Sequence, residues 1–179
     1  MIVNVISLYP VICKVLDKIG DVSSSSDNRL KADVVGYSLE SFDFIFMIHL
    51  MKTIFGVAND LNNALQRKDQ DIVNVMPLVT LTKQQLKQVR DNGWEPLLSS
   101  VISFCEKTCI KAPNMEDVYV PKGRKKRGKL HTTNLHHFRV EEFVAIIDLQ
   151  LQKLKNRFDK ISMDLLVKMA SLSPVDGFF

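Results

Sequence analysis

The sequence predicts an all-α protein, an irregular helical bundle around one central apolar helix, with a single long basic loop. Three observations lead there. The stretch YSLESFDFIFMIHLMKTI, residues 37–54, is apolar nearly all round a helical wheel. Leu39, Phe42, Phe46 and Leu50 share one face, and Phe44, Met47, Met51 and Phe55 the other. No orientation on a surface would hide such a helix, so it belongs in a core. Elsewhere apolar residues recur three and four apart, which is the helical period. No segment alternates strictly with period two beyond a few residues, and Val118-Tyr119-Val120 is the only β-like trace.

With 179 residues, 46% hydrophobic and 25% charged, the chain suits one domain able to bury a core. Residues 3–19 carry Val5, Leu8, Ile12, Val15, Leu16 and Ile19 on a helical stripe, bent near Pro10 because proline removes a backbone donor. Gly20 ends it, and the Ser23–Asn28 run is a polar loop whose Asp27 or Asn28 can cap a short helix over residues 30–35. Gly36 leads into the core helix, with Ser38 as its cap, and Gly56 closes it.

Residues 57–91 form a long polar-to-amphipathic stretch in which Leu61, Leu65, Ile72, Val75, Met76, Val79, Leu86 and Val89 recur at near-helical intervals. Pro77 should kink it, and Asn92-Gly93 should end it. Trp94, Leu97, Leu98, Val101, Ile102 and Cys105 mark the next helix, with Pro96 in its first turn. Residues 111–133 read as a loop. Residues 140–158 read as an amphipathic helix, with Phe143, Ile146, Ile147, Leu151, Leu154 and Phe158 inward. A last helix over 163–172 stops at Ser173-Pro174.

The net charge is +4, but its distribution matters more than its size. Lys122, Arg124, Lys125, Lys126, Arg127 and Lys129 place six positive charges in eight residues without an acid. Removing those six from +4 leaves −2 for the rest of the chain. Clustered cations neutralise phosphates by counterion release, and no aromatic is interleaved for base stacking. Phosphate contact, a nuclear-import patch and a solvated loop all fit the run.

Three cysteines, Cys13, Cys105 and Cys109, do not make a disulfide framework. Cys105, Cys109, His131, His136 and His137 suggest zinc, since thiols four apart share a helical face. The cysteine and histidine groups are separated by 21 intervening residues, too many for a compact finger, so no metal ligands and no cofactor are assigned. His49 reads as a hydrogen-bonded core histidine. Asp69 and Asp71 point to different faces, Glu141 and Glu142 are adjacent, and Asp148 suits a capping or salt-bridged role. No phosphate loop or nucleophile elbow is present, so no active site is expected. Asp43, His49 and Lys52 interrupt the apolar run, and no basic n-region precedes the apolar N-terminus, so neither a membrane span nor a signal peptide is expected.

The phrases LESFDFIFMIHLMK, LNNALQRKDQDIVNVM, WEPLLSSVISFC, TNLHHFRVEEF and IDLQLQKLKNRF resemble transposase-derived proteins of the hAT superfamily. More narrowly, they resemble the plant branch labelled zinc finger MYM-type protein 1-like, or TTF-type domain proteins, over residues 5–179. The resemblance implies the helical insertion of a ribonuclease-H-like core, with the family's catalytic acids outside this chain. On that basis the chain is expected to be a truncated or degenerate transposase remnant, not an enzyme and with no small-molecule substrate. It would be nuclear and would contact DNA or another transposase segment or subunit through the basic run. The alternative is a helical protein-interaction module, or a pseudogene product, with no nucleic-acid role.

Overall fold

The computed structural model describes residues 2–23, 25–66, 72–120 and 132–158, the side chains of 72–75 excepted. Over these residues the fold is all-α. The helices are α1 (Ile2–Val22), α2 (Ser26–Leu39), α3 (Phe42–Leu65), α4 (Ile72–Asn92), α5 (Trp94–Lys107), α6 (Asn134–His136) and α7 (Ala145–Arg157). A π-helical segment, His137–Val144, joins α6 to α7. The expected last helix over 163–172 lies outside the described residues. The chain gathers into two compact units: Met1–Thr53 with Trp94–Phe138, and Ile54–Gly93 with Arg139–Phe179.

In the first unit, α1 and α2 pack together across a short connection. They come close at Gly20, where a Cβ would sit 3.2 Å from Asp33 Oδ1. The expected inward stripe of α1 is only partly right. Tyr9 is the buried residue, donating its hydroxyl to Leu39 O at 3.1 Å and meeting Phe104 edge-on at 5.4 Å. Leu8, Val15 and Ile19 are instead exposed. Periodicity finds a helical face but cannot say whether the fold covers it.

The central helix starts later than expected. Ser38 is no cap: its hydroxyl donates to Val34 O at 2.9 Å within α2. The break falls at Glu40-Ser41, where Phe44 N–H donates to Ser41 Oγ at 3.2 Å and the hydroxyl donates to Ser38 O at 2.7 Å. A serine that accepts from the third residue onward satisfies a donor the helix leaves orphaned. Beyond the cap, Phe42, Ile45, Phe46, His49 and Leu50 are buried. Phe46 lies against Trp94 at 6.0 Å and Phe138 at 5.1 Å, and Phe42 meets Phe138 at 4.9 Å. By length and composition α3 could also cross a membrane. Its residues in this unit are packed among protein rings. The spacing of α5 holds: Trp94, Leu97, Val101 and Cys105 are its buried face.

In the second unit, α3 runs past Gly56 to Leu65, contrary to the expected stop. Glycine in a helix interior costs about 1 kcal/mol relative to alanine, and burial of Ile54, Leu61 and Ala64 on either side outweighs it. Leu61 and Val79 form the core, with Leu78, Leu154 and Phe158 packed against them. Pro77 lies inside α4. Gly93 closes that helix as expected, its N–H donating to Val89 O at 2.7 Å. A Cβ there would lie 2.4 Å from that oxygen, so only glycine fits.

The helix expected over 140–158 begins earlier and changes register. Thr133 caps α6, its Oγ1 accepting from His136 N–H at 3.2 Å, and π turns follow before α7. Phe138 and Phe143, five residues apart, are both buried. A π turn bonds i to i+5, so it re-phases the helix between these two rings.

Candidate functional site

The basic run Lys122, Arg124, Lys125, Lys126, Arg127 and Lys129 lies outside the described residues. What is described is the frame from which it leaves and to which it returns. Val118 and Thr133 form an isolated antiparallel bridge. Tyr119 N–H donates to Thr132 O and Asn134 N–H to Asp117 O, both at 2.9 Å. Leu135 N–H donates to Met115 O at 2.9 Å, and Asn134 Nδ2 donates to Asn114 O at 2.7 Å. Tyr119 stacks on His137 at 3.6 Å with the planes 15° apart. Residues 119 and 132 are thus held side by side.

The residues considered for zinc are not brought together. Cys105 is buried on α5, where loss of water pushes its thiol pKa up. Cys109 lies beyond the end of α5, so the helical-face argument fails. Ile110 N–H returns to Cys105 O at 2.9 Å and Cys109 N–H to Glu106 O at 3.4 Å, with Cys109 at φ 59°. That is a Schellman stop with cysteine in the left-handed position glycine usually takes. His136 is exposed and His137 is stacked, while His131 is outside the described residues. Among the described residues no three His, Cys, Asp or Glu groups could hold a metal ion.

His49 is buried as expected, its Nδ1 2.8 Å from Ile45 O and its ring edge-on to Phe104 at 5.1 Å. Burial lowers its pKa, against a smaller opposing effect of the Ile45 hydrogen bond. Asp148 is salt-bridged as expected. Its two oxygens take Arg90 Nε at 2.5 Å and Nη2 at 3.0 Å, which raises the guanidinium pKa. Asp69 and Asp71 are outside the described residues.

The first unit also holds a cleft of about 590 Å³ that the sequence did not announce. Residues 37–43 line one side, 110–120 another, and Asn134 and Phe138 complete it. Among the described residues that line it, the charged ones are Glu40, Asp43, Lys111 and Asp117. Glu40 and Asp43 lie far along the sequence from Lys111 and Asp117, so no local spacing could signal them. A second cavity of about 440 Å³ collects Tyr9, Cys13, Cys109 and Lys111. Burial, then a hydrogen bond with Cys13, raises the Tyr9 pKa.

The fold defines an all-α protein of two helical units, the first of which carries the larger of the two clefts described. No protein-family model, curated protein or solved structure matches this chain.

Proposed function

We propose that this chain is a non-catalytic helical module derived from a hAT-type transposase, acting in the nucleus on DNA phosphates. The contact is indifferent to base sequence and made through Lys122, Arg124, Lys125, Lys126, Arg127 and Lys129. One observation carries the reading: six cations in eight residues, on a chain otherwise net −2. The hydrogen bond between Tyr119 and Thr132 lends support, since these described residues on either side of the run are held together on the first unit. The assignment to the superfamily rests on the sequence phrases quoted above.

Non-specific phosphate contact gives dissociation constants on the order of 10⁻⁴ to 10⁻⁶ M at physiological salt, with a steep salt slope. Titration of a random-sequence duplex between 50 and 200 mM salt tests this. Replacing Lys125, Lys126 and Arg127 with Ala should flatten the slope by about one unit per charge removed, with the helical spectrum unchanged. An unchanged slope would move the contact elsewhere. A parent protein that binds no duplex even at low salt would leave the second reading, a protein-interaction module. A specific observation favours that alternative: Leu8, Val11, Val15, Ile19 and Val22 form an exposed apolar stripe along α1.

A further inference from the structure

We propose that two copies of this chain associate through the exposed apolar stripe of α1, their α1 helices packed antiparallel about a two-fold axis. The paired stretch is residues 11–22 of each copy. The pairing rests on the interaction-module reading, to which it gives a partner, and it stands apart from the DNA reading.

The first observation is the shape of the stripe. Leu8, Val11, Val15, Ile19 and Val22 fall within about 80° of one another around the helix, and each is between 41% and 72% exposed. Tyr9, which anchors α1 on Leu39 and Phe104, lies about 120° round from the middle of the stripe. Val15, Lys18, Ile19 and Val22 enclose a surface hollow, with Ser23 at its rim. Their spacing of three, four and seven makes them a diamond on the helix surface. Such a diamond is the hole that receives a side chain from a facing helix in knobs-into-holes packing. The paired stretch begins past Pro10, so the proline does not interrupt it.

Charge and register identify the occupant as a second copy and set its direction. The charged residues of α1 are Lys14, Asp17, Lys18 and Asp21. By helical period Asp17 is on the far side, Lys14 and Asp21 flank one edge of the stripe, and Lys18 sits within it. Among the described residues neither Lys14 nor Asp21 forms an ion pair. Seating Val15 in the hollow of an antiparallel second copy brings Val11 against Val22, Ile12 beside Ile19, and Lys14 beside Asp21. The two-fold axis makes each contact twice. A parallel pair would set Lys18 against its own copy and put no acid opposite Lys14. In the antiparallel pair Lys18 crosses Val15, its stem covering the valine while its ammonium reaches water. One lysine in an apolar seam fixes register at a cost in stability. The paired stretch is only about 18 Å long, so the interface is small and the association weak.

Sedimentation equilibrium of the full chain at low salt, from about 10 µM to about 1 mM to suit a small interface, should show a monomer–dimer equilibrium. Val15→Asp should abolish the dimer. Its far-ultraviolet spectrum and thermal midpoint should match the parent's, because Val15 is half-exposed in the single chain. Lys14→Glu and Asp21→Lys should each weaken association about five- to tenfold, since two rim pairs turn from attraction to repulsion. Both changes in one chain should restore the parental affinity, because each reversed charge again meets its opposite on the second copy. A parent that stays monomeric at the highest concentration would overturn the proposal and leave the interaction-module reading to a different partner. A dimer that survives Val15→Asp would move the contact off α1. A double reversal no tighter than the single variants would overturn the antiparallel register.

Discussion

The two units are cored by different chemistry. The first is held by rings: Phe42, Phe46, Trp94 and Phe138 meet face and edge, with Tyr9, His49 and Phe104 adjoining them. The second is mainly aliphatic, with Leu61 and Val79 at its centre, Phe158 packed against them and Phe143 buried as a single ring, and the Arg90–Asp148 pair half-exposed. Aromatic pairs add about 0.5–1.5 kcal/mol each beyond area burial and prefer tilted or edge-on geometry. A ring cluster therefore specifies position more tightly than branched aliphatics do. The cleft is built on the ring-cored unit: Phe42 and Phe138 belong both to the core and to its lining.

If that contrast is right, the largest effect should come from Phe46→Ala, about 3–5 kcal/mol, against about 2–5 for Leu61→Ala. The sharper distinction lies in what each loss spreads to. Phe46→Ala should also shift the fluorescence of Trp94, the one tryptophan, whose ring Phe46 meets at 6.0 Å, while Leu61→Ala should not. Urea denaturation and native emission spectra, run on both variants, check this. An equal spectral change in both would erase the distinction.

His49 gives the next effect, confined to acid. Burial holds its folded pKa below the ordinary histidine value, so the unfolded chain takes the proton first. Its contribution is intact above about pH 6.5 and is lost as pH falls from there through the depressed folded value. Urea midpoints at pH 7.5 and 5.0 should differ more in the parent than in His49→Gln. A variant with the same acid sensitivity as the parent would assign the effect to other groups.

The smallest effect belongs to the second unit's ion pair. Arg90 and Asp148 are 39% and 46% exposed, and solvent-screened pairs contribute little. Arg90→Gln should leave the thermal midpoint nearly unchanged at 0.15 M salt and shift it measurably only at low ionic strength. A large loss at high salt would mean that the pair, not the aliphatic core, holds this unit.

Much of the fold was legible from residue order alone. The all-α class, the buried centre of the 37–54 stretch, the face of α5, the glycine stop at Gly93 and the roles of His49 and Asp148 follow from period, side-chain size and charge. These are local properties: a helical face, a missing Cβ, or a lone ionisable group in an apolar run constrains its own surroundings.

Other features were settled only by packing. Ser38 and Ser41 are both able caps, and the choice between them depends on which start buries Phe42 and Phe46 against Trp94 and Phe138. Gly56 stops nothing because apolar burial on both sides exceeds the penalty of one glycine. Cys109 leaves the helical face of Cys105 because α5 ends in a left-handed turn that no spacing announces. The stripe on α1 is half exposed, since periodicity describes a helix and burial describes its neighbours. The cleft is the furthest from the sequence. Its lining comes from the junction of α2 and α3, the segment after α5, and the α6 region, and only tertiary contact makes them one cleft.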